Sequence, residues 1–222
     1  CNPRVPGCGF CTFPHESYSK STLRETVRSV TWEVETTFRR YPELAKRRVE
    51  GVYFGGATAN LTPPALLRAL GAELARHLEL THAEITLEGV PSSFRSLFDG
   101  PFEVLRDLPA RTRRISMGVQ TFDPAQLARM GREHFGDARV IAKVVDKAHR
   151  HDMTASGDFL VNLPHQSREQ MLDDARRAVE MGFDQICVYN LVLAEGMGTP
   201  WASDPALLAA LPSVDDACAN WL

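Results

Sequence analysis

The sequence has no long apolar run, no basic excess and few cysteines, and each of these absences excludes a class of protein. No stretch approaches the roughly 20 apolar residues that a membrane-spanning helix needs. The net charge of −3 lacks the positive excess that is typical of nucleic-acid-binding proteins. Five unevenly spaced cysteines in 222 residues do not suit a disulfide framework and fit a reducing compartment. We therefore expect a cytoplasmic globular protein without membrane or nucleic-acid partners.

Three of the five cysteines are concentrated at the start of the sequence, at Cys1, Cys8 and Cys11. Three thiolates can bind three irons of a [4Fe–4S] cluster and leave a coordination position open on the fourth iron. Together with His15, the same cysteines also match the ligand spacing of a Cys3His zinc site. The spacing alone therefore leaves both metal sites open.

The rest of the sequence alternates between strand-like and helix-like segments. Apolar and β-branched runs predict strands at 52–54, 83–87, 115–119, 155–161 and 186–189. Helical spacing and capping residues predict helices that begin at Ser21, Pro63, Asp123, Asp137 and Ser167. This alternation is typical of parallel β/α units, and it favours iron–sulfur over zinc because zinc modules of this kind are usually small. Neither Cys187, predicted to be a buried small side chain, nor Cys218, predicted to lie in a terminal helix, is expected to bind metal.

The position of the cysteine loop predicts the architecture. Functional loops of a β/α barrel follow strands, so we expect a strand before Cys1 and six β/α units in all. We predict an α/β fold, a partial (β/α)6 TIM-like barrel over residues 1–204, with its first strand missing from this sequence. Residues 205–222 are predicted to start a truncated C-terminal region. A doubly wound open sheet is the alternative.

Seven short motifs lie at predicted strand ends or adjoining turns. They are Cys8-Gly-Phe-Cys11, Tyr53-Phe-Gly-Gly-Ala-Thr58, Glu88-Gly-Val-Pro91, Ser116-Met-Gly-Val-Gln-Thr-Phe-Asp123, Met130-Gly-Arg-Glu-His134, Gly157-Asp158 with Leu163-Pro164, and Val188-Tyr-Asn190. Together, and in this order, they resemble the motifs of radical S-adenosylmethionine (SAM) enzymes of the oxygen-independent coproporphyrinogen III oxidase-like branch. The resemblance extends from Cys1 to about Pro200.

The resemblance implies two cofactors and the residues that bind them. It implies that Cys1, Cys8 and Cys11 bind a [4Fe–4S] cluster, which cleaves SAM to a 5′-deoxyadenosyl radical with electrons from flavodoxin or ferredoxin. Some family members bind a second SAM. The implied SAM contacts are Phe10, Gly55, Gly56, Ala57, Thr58, Glu88, Gln120, Arg132, Asp158 and Val192.

The sequence departs from the family in two places, and these shape the functional hypothesis. Six residues separate Cys1 from Cys8 where the family has three, and Ala57 and Ala59 replace a glycine and a proline. We expect a small-molecule substrate, and the longer loop favours radical methyl transfer or carbon–carbon bond formation, such as cyclopropanation, in specialised metabolism. The alternatives are porphyrinogen oxidative decarboxylation, a heme-binding or heme-delivery protein and, more remotely, the zinc module.

Overall fold

The structure, a computed structural model, describes residues 8–13, 18–56, 58–95 and 100–221. Within these ranges, five strands form one parallel sheet in the order in which they occur in the chain. They are β1 (Gly51–Phe54), β2 (Glu84–Gly89), β3 (Thr112–Gln120), β4 (Thr154–Val161) and β5 (Gln185–Asn190). This order lacks the reversal at which a doubly wound sheet changes direction. The α/β, TIM-like fold is therefore confirmed as an open five-stranded sheet, and the sixth strand stays a prediction.

Helices occupy the connections between the strands. Those of at least one α-helical turn are α1 (Lys20–Arg40), α2 (Pro64–His77), α3 (Pro91–Phe94), α4 (Gly100–Asp107), α5 (Pro124–Arg129), α6 (Ala138–Arg150), α7 (Arg168–Glu180), α8 (Pro205–Ala209) and α9 (Val214–Trp221). Short 3-10 helices lie at Pro42–Leu44, Ala59–Leu61 and Trp201–Ser203. No helix in the described ranges has both the length and the apolar character that a membrane span requires.

Side-chain caps explain where several helices begin. Asp123 accepts a hydrogen bond from the backbone N–H of Ala125 and starts α5 as predicted, and Asp137 caps α6 in the same way. Ser167 and Gln170 form a reciprocal capping box at the start of α7. Helix α1 begins slightly earlier than predicted, because Ser19 rather than Ser21 is its N-cap.

The two faces of the sheet differ in polarity. The outer face, which packs against the helices, carries fully buried apolar side chains such as Ile85, Leu87 and Ile115. Since side chains alternate along a strand, the intervening residues point to the inner face. Most of them are polar or ionisable, although Gly118 and Leu160 are not; the polar or ionisable ones include Tyr53, Thr86, Glu88, Arg114, Ser116, Ser156, Asp158, Cys187 and Tyr189. The sheet thus carries a polar, barrel-lumen-like surface on one side.

Cys187 belongs to this inner face, which corrects its prediction as a buried apolar-like side chain. Its Sγ accepts a hydrogen bond from Gln185 Nε2 at 3.2 Å and lies 3.8 Å from Ser156 Oγ. The strand was predicted correctly, but the sequence did not indicate which residues of β5 faced inward. Cys218 lies in α9 as predicted.

The terminal helices contact the end of the sheet. Asn220 in α9 donates through Nδ2 to Asn162 Oδ1 at 2.9 Å, and Asn162 Nδ2 donates to Asn190 Oδ1 at 2.7 Å. These amides connect α9 to the loop after β4 and to the end of β5. The division between residues 1–204 and 205–222 stays a prediction.

Candidate functional site

The turn from Cys8 to Cys11 is fixed to distant parts of the chain by backbone hydrogen bonds. The N–H of Cys11 donates to the carbonyl of Cys8 at 3.0 Å and closes the turn. Gly9 donates to the carbonyl of Met130 at 3.2 Å and accepts from the N–H of Trp201 at 3.0 Å. The turn is therefore held between the end of α5 and the segment after β5.

Apolar side chains surround the first sulfur of this turn. Cys8 is buried with Val90, which directly follows β2, and with Phe135. Phe10 packs edge-on against Trp201, with 5.8 Å between ring centroids. Cys11 is partly exposed. The two thiols therefore lie beside the carboxyl end of β2, with one side of the turn open.

The loop after β1 brings glycine backbone against an acidic side chain. The N–H of Gly56 donates to Glu88 Oε2 at 3.3 Å, and Gly56 has a φ of +87°, which glycine adopts without strain. A Cβ on Gly55 would lie 2.4 Å from the Tyr53 ring and 2.7 Å from Glu88 Oε2, so a larger residue here would displace one of these side chains. Glu88 and the predicted residues Gly55 and Gly56 therefore form one contiguous surface.

The next part of this loop is anchored to β2. Asn60 donates through Nδ2 to the carbonyl of Val90 at 3.0 Å and accepts from the N–H of Val90 at 3.3 Å. Thr58 is buried, and its Oγ1 has no hydrogen-bond partner among the described residues. Ala57, the remaining predicted contact of this loop, lies outside the described residues.

Gln120 lies at a register irregularity at the end of β3. The register with β4 shifts between Gly118 and Gln120, which is a β-bulge, and Gln120 has a φ of +71°. A Cβ on Gly118 would lie 3.0 Å from Gln120 Nε2 and 3.3 Å from an Arg132 nitrogen. The bare backbone of Gly118 thus leaves room for the side chains of Gln120 and Arg132 to approach each other.

Two carboxyl groups of the inner face are held in an environment that disfavours their charge. Burial raises the pKa of Glu88, although the Gly56 N–H opposes the shift, and the nearby Asp158 adds to it. Burial likewise raises the pKa of Asp158, against a hydrogen bond from Ser116 at 3.2 Å. Burial and the neighbouring acids raise the pKa of Tyr53 and of Tyr189. A cationic ligand at this face would relieve the repulsion.

The described residues fit a cluster and a polar ligand at this edge. Cys8 and Cys11 supply soft thiolate donors, and the third predicted ligand, Cys1, lies outside the described residues, as does His15 of the zinc alternative. Within the described ranges alone, no three metal-binding side chains converge, so the predicted ligand set depends on Cys1. Thr58 Oγ1 and Arg132 Nε are buried without partners in this part of the chain, so both have hydrogen-bonding capacity left for a ligand.

Most of the predicted site residues lie together at the carboxyl edge of the sheet, and one lies apart. Val192 follows β5 and is 70% exposed, and its predicted backbone contact stays untested. The predicted roles of Phe10, Gly55, Gly56, Thr58, Glu88, Gln120, Arg132 and Asp158 also remain predictions, although the fold places these residues on neighbouring elements.

Comparison with protein families decides the affiliation. The family model described as the radical SAM superfamily matches residues 1–194. The chain belongs to this superfamily. Its members use a [4Fe–4S] cluster and SAM, so the cofactor prediction is confirmed for the family.

Relatives of this radical SAM chain point to the branch that the motifs indicated. The heme chaperone HemW of Haemophilus influenzae is 27% identical over 194 residues, which cover 85% of this chain and 49% of the relative. Radical S-adenosyl methionine domain-containing protein 1, mitochondrial, of Mus musculus is 28% identical over 213 residues, 92% of this chain and 46% of that protein. The chain spans about half the length of these curated relatives.

A solved structure confirms the fold. The radical SAM enzyme coproporphyrinogen III oxidase, HemN, of Escherichia coli superposes with a TM-score of 0.78, at 22% identity, over 97% of this chain and 48% of that one. At this identity the match concerns architecture alone. It agrees with the parallel sheet and with the resemblance seen in the motifs.

Several residues that shape the site were missed by sequence reasoning. Met130 and Trp201 hold the cysteine turn, and Asn60 holds the loop after β1, through the hydrogen bonds described above. Met130 acts through a backbone carbonyl and Trp201 in part through a backbone N–H, and backbone groups carry no sequence signature. A buried asparagine such as Asn60, just after a glycine-rich turn, is the one residue whose type could have drawn attention.

Proposed function

We propose that this radical SAM chain is the cluster- and SAM-binding domain of a protein that binds and delivers heme. The observation that carries the proposal is the alignment of heme chaperones along nearly the whole chain, including the HemW of Escherichia coli, which matches 92% of it. These relatives favour heme delivery over the methyl transfer or cyclopropanation that the long cysteine loop suggested. Because the chain spans about half of each relative, we assign heme binding and delivery in this proposal to the complete protein.

The residues of the carboxyl edge define what this domain does in the proposal. Cys1, Cys8 and Cys11 hold the cluster, which supplies the electron for reductive cleavage of SAM when that cofactor is bound. Glu88, which accepts a hydrogen bond from the Gly56 N–H and lies near Asp158, would bind the ammonium group of SAM. The unpartnered Thr58 Oγ1 and the side-chain amide of Gln120 supply further polar contacts.

A second candidate is a SAM-cleaving enzyme that modifies a small molecule. The polar inner face favours it, because Glu88, Asp158, Tyr53 and Tyr189 can exchange protons with a substrate lying in the curve of the sheet. The proposed electron donor in that case is flavodoxin or ferredoxin. The reaction would be methyl transfer, carbon–carbon bond formation or porphyrinogen oxidation.

Two parallel assays on the full-length protein distinguish the candidates. Anaerobically reconstituted protein is titrated with heme while the Soret absorbance is recorded, and is separately incubated with SAM and dithionite while 5′-deoxyadenosine is quantified by mass spectrometry. Stoichiometric heme binding without multiple turnovers supports heme delivery. Repeated 5′-deoxyadenosine formation without heme binding contradicts it in favour of the enzyme, and methyl-labelled SAM then separates methyl transfer from hydrogen abstraction.

Metal analysis tests the cluster itself. We expect about four irons and four sulfides per chain in the reconstituted protein, with both lost in Cys8→Ser and Cys11→Ser. Cys218→Ser is the matched control, because Cys218 lies in α9 and is exposed. One zinc and no sulfide per chain would contradict the cluster and support the Cys3His zinc module instead.

A further inference from the structure

Arg132 reaches from the turn after α5 to the first described cysteine. Its Nη1 donates to Cys8 Sγ at 3.1 Å, and its Nη2 donates to the carbonyl of Gly118 at 2.5 Å. The guanidinium lies over the ring of Phe135, 4.4 Å from the centroid. One side chain therefore connects the cysteine turn to the bulged end of β3.

The charge of Arg132 lacks a carboxylate partner within the described ranges. The residue is 6% exposed, and none of the ion pairs found in that part of the chain includes it. Its neighbour Glu133 lies instead near His134, at 3.7 Å, and is about half exposed. A buried cation without an anion is costly, and the acceptors that its guanidinium contacts in this part of the chain are Cys8 Sγ and the Gly118 carbonyl.

Backbone hydrogen bonds fix the position of Arg132, and this position directs its side chain towards Cys8. The N–H of Arg132 donates to the carbonyl of Leu127 at 2.7 Å, and its carbonyl accepts from the N–H of Phe135 at 2.9 Å. With Nη1 and Nη2 occupied, Nε remains as a buried donor without a described acceptor. This unused donor suits a further anionic atom beside Cys8.

We propose that Arg132 is a positioning residue that fixes the Cys8 thiolate and makes the bound cluster easier to reduce. Adding one electron from a reductant makes the cluster more negative by one charge and neither forms nor breaks a bond. A cation and an N–H donor at a ligating sulfur stabilise the more negative state. This inference rests on the proposed binding of the cluster by Cys1, Cys8 and Cys11, and it does not depend on heme delivery.

The test compares two neighbouring arginines in the full-length, anaerobically reconstituted protein. Arg132→Gln removes the buried cation, whereas Arg129→Gln removes an exposed cation from the end of α5. The cluster is titrated with dithionite and mediators while the reduced form is followed by electron paramagnetic resonance. We expect Arg132→Gln to lower the equilibrium constant for reduction about tenfold, a shift of about 59 mV to more negative potential. Arg129→Gln should leave the potential at the wild-type value.

A third variant keeps the inference testable if Arg132→Gln assembles no cluster. Arg132→Lys retains a cation but loses the planar fork, and it should shift the potential in the same direction by a smaller amount. Wild-type potential in both Arg132 variants, or an equal shift in Arg129→Gln, overturns the inference. Absence of iron and sulfide from the wild-type protein would instead mean that the proposed cluster site is wrong, so the two failures are distinguishable.

Discussion

Trp201 packs directly against the backbone of Gly9, between two of the predicted cluster ligands. A Cβ on Gly9 would lie 2.3 Å from Trp201 Nε1 and 2.4 Å from Cδ1. The same indole donates through Nε1 to the carbonyl of Arg129 at 3.2 Å, so it cannot shift without losing a hydrogen bond. The position of the cysteine turn is therefore determined by an aromatic residue near the far end of the chain.

The first prediction follows from this contact. Gly9→Ala should displace the turn, lower the iron content to less than half and destabilise the fold by about 1–3 kcal/mol, as overpacking does. Gly51→Ala is the control, because its Cβ meets only the carbonyl of Glu84, at 3.8 Å. Iron and sulfide analysis with urea unfolding gives the answer, and wild-type iron content in Gly9→Ala would refute the role of this contact.

The second prediction concerns SAM binding by the loop after β1. Gly55→Ala forces a methyl group into the Tyr53 ring and Glu88 Oε2, so we expect an affinity loss of about tenfold. Isothermal titration with SAM on reconstituted protein measures it, again with Gly51→Ala, in the strand before this loop, as the control. If Gly55→Ala and Gly51→Ala bind SAM with equal affinity, then Gly55 and Glu88 are not part of the SAM site.

The third prediction uses the backbone strain at Gln120. A side chain at a φ of +71° is disfavoured by roughly 1–2 kcal/mol, and glycine avoids this cost. Gln120→Gly should therefore be more stable than Gln120→Ala by about 1 kcal/mol, while both weaken SAM binding about tenfold through loss of the amide. Urea unfolding and titration together check this, and equal stability of the two variants would contradict it.

The fourth prediction is a pH dependence of stability. Burial raises the pKa of Asp158 above its ordinary 3.8, so the folded state holds its proton at pH values where the unfolded state releases it. The resulting stability is present below the ordinary pKa and is lost as the pH rises through the raised one. Asp158→Asn should flatten this decline in urea unfolding measured from about pH 4 to pH 8.

Asp107→Asn serves as the control for that experiment. A hydrogen bond from Arg68 lowers the pKa of the Asp107 carboxyl, so its contribution is lost as the pH falls, which is the opposite direction. The fall in unfolding free energy as the pH rises from about 4 to 8 should therefore persist in Asp107→Asn. Persistence of the same decline in Asp158→Asn would mean that another group causes it.

Much of the fold could be predicted because local signals coincide with the final structure. Asp123, Asp137 and Ser167 precede segments with helical spacing, and residues of these types favour the N-cap position. The strands were visible as short apolar runs. Glu88 and Asp158 could be placed at one edge because parallel strands end at the same edge. These features depend on neighbours in sequence or on a general rule of topology.

The remainder depends on contacts that no local pattern encodes. The bulge that turns Gln120 arises from the register between β3 and β4, and the inward position of Cys187 depends on the phase of β5. Arg132 was predicted as a SAM contact from its motif, but its hydrogen bond to Cys8 required the full tertiary structure. The sequence thus predicted a set of site residues, but it did not predict the contacts between them.

The attachment of Gly9 to Met130 and Trp201 also bears on the order of events during protein synthesis. The turn from Cys8 to Cys11 is synthesised well before Met130 and Trp201, whose backbone groups dock it. Until Trp201 has emerged, the turn lacks one of the two backbone contacts that hold it. Docking of this turn against Trp201 therefore has to follow, rather than accompany, translation of the β/α units.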